Sequence, residues 1–552
     1  MRVLLINWTA PVHGAALGGG VSGYLQSLAI ELARQGHEVG WLLSGQTYTP
    51  GATPGSIGPC EIRRRDDWRG LSVFEVINSP VISPGPLQTH DPMAEVSCPA
   101  LEAEFARFIE LARPDIVHFH NLEGFSAGCV TRLTRADERG YRPGVLFSLH
   151  NYHTVCPRVY LLRNGSTPCR DFQGGHACAA CVPDLQGPRE QQRRAKEYAL
   201  VYGHDLPRPA PGPVPVTWSD ALRKRVQPAF VPPAPAPLPG GQVSSQADAR
   251  LGAGSAGSAG SADSEVRAGG AGAALQEALA PLDNTIEPEP SYPGEMHAFG
   301  RRRQGIVAAL SGCDRVLAVS RFVRDKFAAM GVREAVLGVL PIGTRMGELY
   351  ASQPDVQAPP PGFEPARPLR LAFMGYHNFA KGLHMLLDSL EMVPPDALAK
   401  LDLLVNAKDV EPMMPRLSAL APRLAGLAVH HGYPYEMFPR AVFGRDLGLV
   451  PSVWWDNGPQ TVLEFLACRI PVLGAAVGGV PDVIRDGVNG RLHRGNDRED
   501  LARILTELAN DPTPVKGWRE AITPPLGMEA HARSMSEAYC HVRDTIEQGL
   551  IR

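Results

Sequence analysis

The sequence predicts an α/β protein made of two doubly wound domains, and three observations predict it. Short apolar runs alternate with segments of helical period in both halves of the chain. The first run is followed by a glycine-rich loop that opens a helix. A long stretch of Pro, Ala, Gly and Ser interrupts the first half without a periodic pattern of its own. Residues 3–6 read as a first buried strand, and the loop Gly18-Gly19-Gly20-Val21-Ser22-Gly23 follows it. Residues 24–34 carry apolar side chains at helical spacing, Gly36 closes that helix, and residues 38–43 resume as strand. Residues 116–120 and 144–150 are brief apolar runs ending in histidine, as expected of parallel strands whose C-terminal ends face a crevice. Helix is expected at 302–310, strand at 314–320 and helix again to about 330. A second unit begins with strand 369–375 and helix 382–390, and continues through strands 401–405, 428–431 and 447–450.

The domain layout follows. Residues 1–206 with 294–340 form the first domain, with a cysteine-rich loop at 150–182; residues 341–529 form the second. Residues 530–552 are a helix long enough to cross back to the first domain. Residues 207–293 cannot bury enough surface to offset chain entropy and are expected to be largely disordered.

At 552 residues and 44% apolar content the chain is long enough for more than one core. A net charge of −3 gives no global electrostatic case for nucleic acid, and Arg301-Arg302-Arg303 reads as a solvated helix face. No apolar run approaches the ~20 residues needed to cross a bilayer. The start is too quickly polar for a signal peptide, so reduced cysteines and a cytoplasmic location are expected, with peripheral membrane contact through a basic first-domain face left open.

The chemistry concentrates in residues 451–474, read as strand end, turn, helix and strand. Asp456 and Glu464 stand eight positions apart around a Gly458-Pro459 turn, so one acid falls in the loop and the other on the helix. The loop acid can meet sugar hydroxyls, the free N–H groups at the helix start can meet phosphate, and the helical acid can accept from ribose. Lys381, just before a helix in the loop after the second domain's first strand, can neutralise a departing diphosphate. The glycine-rich loop either brings backbone N–H groups to a phosphate or sugar, or is only a tight turn; it is not a clean Gly-x-Gly-x-x-Gly. His118 and His120, two apart on a strand, share one face. Cys156, Cys169, Cys178 and Cys181 are candidates for a closed tetrahedral zinc site, with an iron–sulfur cluster, a redox pair or unligated thiols as alternatives.

Taken in order, the glycine-rich loop, Pro114 to His120, Lys381-Gly382, Pro451-Ser452, the two acids eight apart, and Val477 to Ile484 with Asp486 to Gly490 resemble a family-4 retaining glycosyltransferase of the GT-B architecture, in which two Rossmann-like domains face each other across a cleft. The resemblance implies transfer of a sugar from a nucleoside-diphosphate sugar to a hydroxyl of a glycan, glycolipid or small metabolite. It also implies a metal-independent centre, in keeping with the lack of any Asp-x-Asp. It assigns Glu464 to the ribose, Asp456 to the sugar in place of the family's usual glutamate, and Lys381 to the diphosphate. Tyr376 stands where an arginine is common. Gly19, Gly20, Gly458, Gln460 and Thr461 match positions that approach sugar and phosphate, while Pro459 lacks an N–H to give. His118 and His120 match a strand-end pair beside the reacting sugar, His120 nearer the crevice. His150 and Asn151 face the acceptor, with Asn151 where the family often carries an acid. No cofactor is implied for catalysis. The rival readings are an epimerase or hydrolase on the same fold, or a binding protein without turnover.

Overall fold

The computed structural model describes residues 1–182, 187–202, 282–357 and 367–549. Two sheets organise the chain. The first has eight strands in the order β10-β9-β6-β5-β1-β2-β4-β3. In chain order these are β1 (Arg2–Ile6), β2 (Glu38–Ser44), β3 (Glu61–Arg64), β4 (Ser72–Ile77), β5 (Ile116–Phe119), β6 (Gly144–Leu149), β9 (Arg315–Ala318) and β10 (Leu337–Val339). All neighbours are parallel except β3 with β4. A two-stranded hairpin, β7 (Leu162–Arg163) with β8 (Thr167–Pro168), stands apart. The second sheet has six parallel strands in the order β13-β12-β11-β14-β15-β16. They are β11 (Leu369–Tyr376), β12 (Leu401–Lys408), β13 (Gly426–His430), β14 (Leu447–Val450), β15 (Val472–Ala475) and β16 (Gly490–His493).

Strands such as β1, β5, β6 and β14 are almost wholly buried, because helices cover both faces of a parallel sheet and leave no polar alternation. Strand order reverses between β1 and β5 in the first sheet and between β11 and β14 in the second. Neighbouring loops part at such points and leave a crevice at the strands' C-terminal ends. His120 follows β5, and the loops holding Lys381 and Asp456 follow β11 and β14.

The chain crosses between domains twice in one place, where the Thr344 N–H donates to the Leu526 carbonyl at 3.0 Å. The helix Met528–Glu547 then lies against the helix Gly14–Arg34 of the first domain. Gly144 makes room for it, since a Cβ there would stand 2.7 Å from Val542.

Three expectations change. The glycine-rich stretch is not a loop ahead of a helix but part of the helix Gly14–Arg34, broken where Gly19 takes a φ of 62°. The arginine triplet is not a solvated face. Arg302 is buried against Glu95, Arg303 pairs with Glu289 and lies over the Phe172 ring, and only Arg301 is exposed. The end of the expected disordered segment is built into the protein: Leu282 is buried and bridges Gly495, and Ile286 packs on the first core. Residues 207–281 of that segment lie outside the described residues. Among the described residues, no helix is long and apolar enough to cross a membrane.

Candidate active site

The donor-side wall is assembled from two loops stitched together. Asn378 accepts from the Lys381 N–H, and Gly382 turns the chain at a φ of 75° so closely that a Cβ would stand 1.9 Å from the Pro451 carbonyl. The Val453 N–H donates to the Ala380 carbonyl at 3.0 Å. The result sets Lys381 Nζ 3.3 Å from Asp456 Oδ2, with the Ser452 hydroxyl donating to the same oxygen at 3.4 Å. Lys381, Ser452, Asp456, Pro459 and Thr461 line one pocket at the start of the helix Gln460–Ala467. First-turn N–H groups have no intrahelical partner, so the helix adds positive potential there.

Glu464 is buried one turn further along that helix. Burial pushes its carboxyl up to about 7, opposed by the charge of Lys381. Tyr376, Tyr433 and Tyr435 surround it: burial first, and then the Glu464 charge, raise all three phenols. Tyr376 thus supplies a ring where an arginine was the familiar alternative. An acid with tyrosine rings near it is a grouping that could meet a nucleoside, whose base can stack and whose ribose can donate.

Gln460 does not turn toward this pocket. Its Nε2 donates to the Gly20 carbonyl at 3.0 Å, a hydrogen bond between the two domains, and a Cβ on Gly20 would collide with it. Gly458 faces Val319 of the first domain and Ile342, and a Cβ there would come within 3.1 Å of Val319. Gly19 breaks its helix and touches nothing within 4 Å of where a Cβ would be.

The first-domain wall is a buried histidine group. His118 Nδ1 meets the Tyr539 hydroxyl and its Nε2 the Ser148 hydroxyl, each at 2.8 Å. Both nitrogens are occupied, which leaves neither of them free for the role that His118's place in the strand-end pair suggested. His120 Nδ1 lies 3.0 Å from His150 Nε2, while His120 Nε2 is buried with no partner. Burial, followed by the neighbouring histidines, holds His118 and His120 well below the usual range; burial and then His531 bring His150 down to about 3. His531, on the returning helix, meets the Tyr24 hydroxyl at 2.7 Å. Asn151 accepts from the His153 N–H at 3.0 Å and so forms a turn. Below it, burial would raise Glu95, but Arg302 and His153 hold its carboxyl down at about 2, locking the loop to the helix Ala298–Gly312.

The four cysteines fall in one lobe formed by the β7–β8 hairpin and the short helix His176–Cys181. Cys181 Sγ accepts from the Asn164 N–H at 3.0 Å, and Cys169 Sγ donates to the Asp171 carbonyl at 3.8 Å. Burial pushes Cys169 up to about 11 and Cys178 up to about 12, so both stay protonated near neutral pH. Among the described residues, no three His, Cys, Asp or Glu side chains are arranged to hold a metal ion. The lobe as folded does not present the expected zinc ligand set.

Three contributors went unread in the sequence. Trp455 stacks on Phe322 and donates from Nε1 to the Asp283 carbonyl at 2.8 Å. Asn284 brackets Gly478, donating to its carbonyl at 2.9 Å and accepting from its N–H at 2.6 Å, while the Gly479 N–H donates to the Asp456 carbonyl at 2.6 Å. Tyr152 packs edge-on against Trp454 at 6.0 Å. The doubled tryptophan before Asp456 was the available signal, since two such side chains in a crevice loop need partners in both domains.

Comparison with known families agrees with this geometry. Residues 19–197 match the glycosyl transferase 4-like domain, and residues 368–511 match the glycosyl transferases group 1 domain. The chain belongs to the family-4 glycosyltransferases of GT-B architecture. Among family members, the D-inositol 3-phosphate glycosyltransferase of Streptosporangium roseum is 35% identical over 99 residues, covering 18% of this chain and 22% of that enzyme. The Streptomyces coelicolor enzyme of the same name is 42% identical over 88 residues, covering 16% and 18%. The likeness therefore spans about a fifth of these relatives' length. The sucrose-phosphate synthase of Thermosynechococcus elongatus shares the GT-B fold with a TM-score of 0.53 and 13% identity over 98% of this chain and 99% of its own. The catalytic domain of starch synthase IV from Arabidopsis thaliana, bound to ADP and acarbose, shares it with a TM-score of 0.51 and 10% identity over 99% of both.

Proposed function

We propose that the protein is a retaining glycosyltransferase that moves a sugar from a nucleoside-diphosphate sugar to an acceptor hydroxyl, with no metal at the catalytic centre. The observation that carries this reading is the Lys381–Asp456 pair at a helix start, one turn from a buried Glu464 among tyrosines. Glu464 accepts from the ribose hydroxyls. Lys381, the Thr461 hydroxyl and the first-turn N–H groups take the diphosphate, where negative charge gathers as the bond to the sugar breaks. Asp456 and His120, whose Nε2 is buried without a partner, are assigned to the sugar. The bond from the anomeric carbon to the diphosphate oxygen breaks as a bond to the acceptor oxygen forms on the same face. The acceptor's proton passes to the departing diphosphate, so the protein chiefly positions reactants and balances charge. Gln460 and Gly20 hold the domains together around them. Replacing Glu464 by alanine and measuring nucleotide-sugar binding tests this: affinity should be lost, and unchanged affinity would remove Glu464 from the site.

A further inference from the structure

Residues 283–293 form neither helix nor strand, so whatever holds them in place lies elsewhere in the protein. The start of this segment is held by the second domain. The Leu282 N–H donates to the Gly495 carbonyl at 3.1 Å, and a Cβ on Gly495 would stand 2.2 Å from the Leu282 carbonyl. The Asp283 carbonyl accepts from the Trp455 indole, and Asn284 brackets Gly478 with two hydrogen bonds. The following residues are fixed to the first domain. Ile286 packs on the first core, Glu289 pairs with the buried Arg303, and the chain then enters the helix Ala298–Gly312. Residues 282–289 are therefore a strap tied at one end to each domain.

These ties converge on one residue. Trp455 is 1% exposed, and its ring lies against the first domain, stacked on Phe322 at 6.2 Å with Lys326 Nζ 4.7 Å over it. The next residue is Asp456. Its carbonyl accepts from the Gly479 N–H at 2.6 Å, and Gly478, at a φ of 58°, lies so close that a Cβ would stand 2.2 Å from the same carbonyl. Gly479 in turn abuts the first domain, where a Cβ would come within 2.8 Å of the Ser320 Cβ. Asp456 thus follows a tryptophan seated in the first domain, and its carbonyl is met by two glycines that Asn284 and Ser320 hold.

We propose that Leu282–Glu289 is a positioning strap: through Trp455 and Asn284 it makes the placement of Asp456 depend on contact between the two domains, so the sugar-facing acid is set only when the cleft is closed. The proposal rests on the donor-site reading above. Among the described residues, no hydrogen bond or ion pair joins the strap to Lys381 or Glu464, so it acts on the sugar end of the donor and leaves the diphosphate and ribose contacts alone. A reacting group misplaced by about 1 Å can cost roughly 10²-fold in rate, so loosening either tie shows in turnover before it shows in binding.

The test compares wild type, Asn284→Ala, Trp455→Phe and the double variant, each assayed well below its melting temperature. Two quantities are measured: turnover on the donor and acceptor that wild type accepts, and affinity for UDP, GDP, ADP and TDP alone. Trp455→Phe keeps a ring on Phe322 but loses the hydrogen bond to the Asp283 carbonyl. Each single variant should lower kcat severalfold with nucleoside-diphosphate affinity unchanged. Both act on Asp456, so the double variant should lose little more than the worse single one, whereas independent effects would multiply. Unchanged kcat in both single variants, nucleoside-diphosphate affinity falling in step with kcat, or a double variant at the full product would overturn the strap's role while leaving the donor site standing. Failure of wild type to bind any nucleoside diphosphate, or to turn over any donor with any acceptor, would overturn the proposed function, and the strap's role with it.

Discussion

On the first-domain wall of the cleft, His118 uses both ring nitrogens on Tyr539 and Ser148, and His531 is held by Tyr24. On the second-domain wall, Trp454 and Asn457 have no bonded side-chain polar atom, and Tyr152, edge-on to Trp454, is in the same condition. Both regions bury polar side chains next to catalytic candidates, yet in one most of these atoms are bonded within the group and in the other they are not. A satisfied network rigidifies the fold, whereas an unsatisfied one carries a cost. His120 marks the border, with Nδ1 on His150 and Nε2 free.

The comparison can be broken most sharply at Lys381. Lys381→Ala should lower kcat/KM by roughly 10²–10³-fold. Its side chain is 32% exposed, so a calorimetric scan should show little change in melting temperature. A large loss of stability instead would move Lys381 to the architectural side.

Glu464→Gln comes next and carries a pH signature. The folded protein holds this carboxyl at about 7, above the ordinary 4.5, so the protonated form favours folding. That contribution is full below about pH 4.5 and lost as pH rises through 7. Glutamine stays neutral throughout. Urea unfolding should therefore find the variant equal to wild type at pH 4 and more stable at pH 8, by about 3 kcal/mol at most. Donor binding should fall at pH 8, where wild type carries the ionised acid, and match wild type at pH 4. In wild type, binding should strengthen as pH rises through about 7, because the ribose needs the ionised acid.

His118→Ala should cost about 1–3 kcal/mol of stability by leaving the Ser148 and Tyr539 hydroxyls unpaired. His120→Ala should instead lower kcat with a smaller shift in melting temperature. Running both variants through melting and turnover assays separates the two histidines, and the opposite pattern would reverse their assignment. The smallest effect is expected at Asn284, which acts through Gly478 and Gly479 on Asp456. Asn284→Ala should reduce kcat severalfold with KM nearly unchanged, and Asn284→Gln should not restore it, because the longer side chain cannot reproduce the two-point bracket.

The sheets were readable because parallel strands buried on both faces leave unbroken apolar runs, as at residues 3–6 and 447–450. Strand β3 was not: Arg63 and Arg64, with Arg65 just after them, look like loop, yet each is paired, with Glu61, Asp67 and Glu75, at a sheet edge where charge is the usual protection. Lys381, Asp456 and Glu464 could be located because their loops follow strand ends directly. Spacing could not separate His118 from His120, since both lie on one face and the partner that occupies His118 stands 421 residues away. Gln460 read as donor-binding because it sits at a helix start, but its reach to Gly20 depends on how the domains close. Tyr152 carried no signal in the sequence, and Trp454 was read only as part of the loop before Asp456. Their missing partners are a property of the packed cleft alone.

The central claim is that this cleft transfers sugar from a nucleoside diphosphate. Its most direct test is release of nucleoside diphosphate from a panel of UDP-, GDP-, ADP- and TDP-sugars with mixed hydroxyl acceptors, followed by assignment of the product's anomeric configuration. Release that requires an acceptor, with the configuration of the donor retained, is the predicted result. Donor binding with no release under any acceptor, or an inverted product, would contradict it.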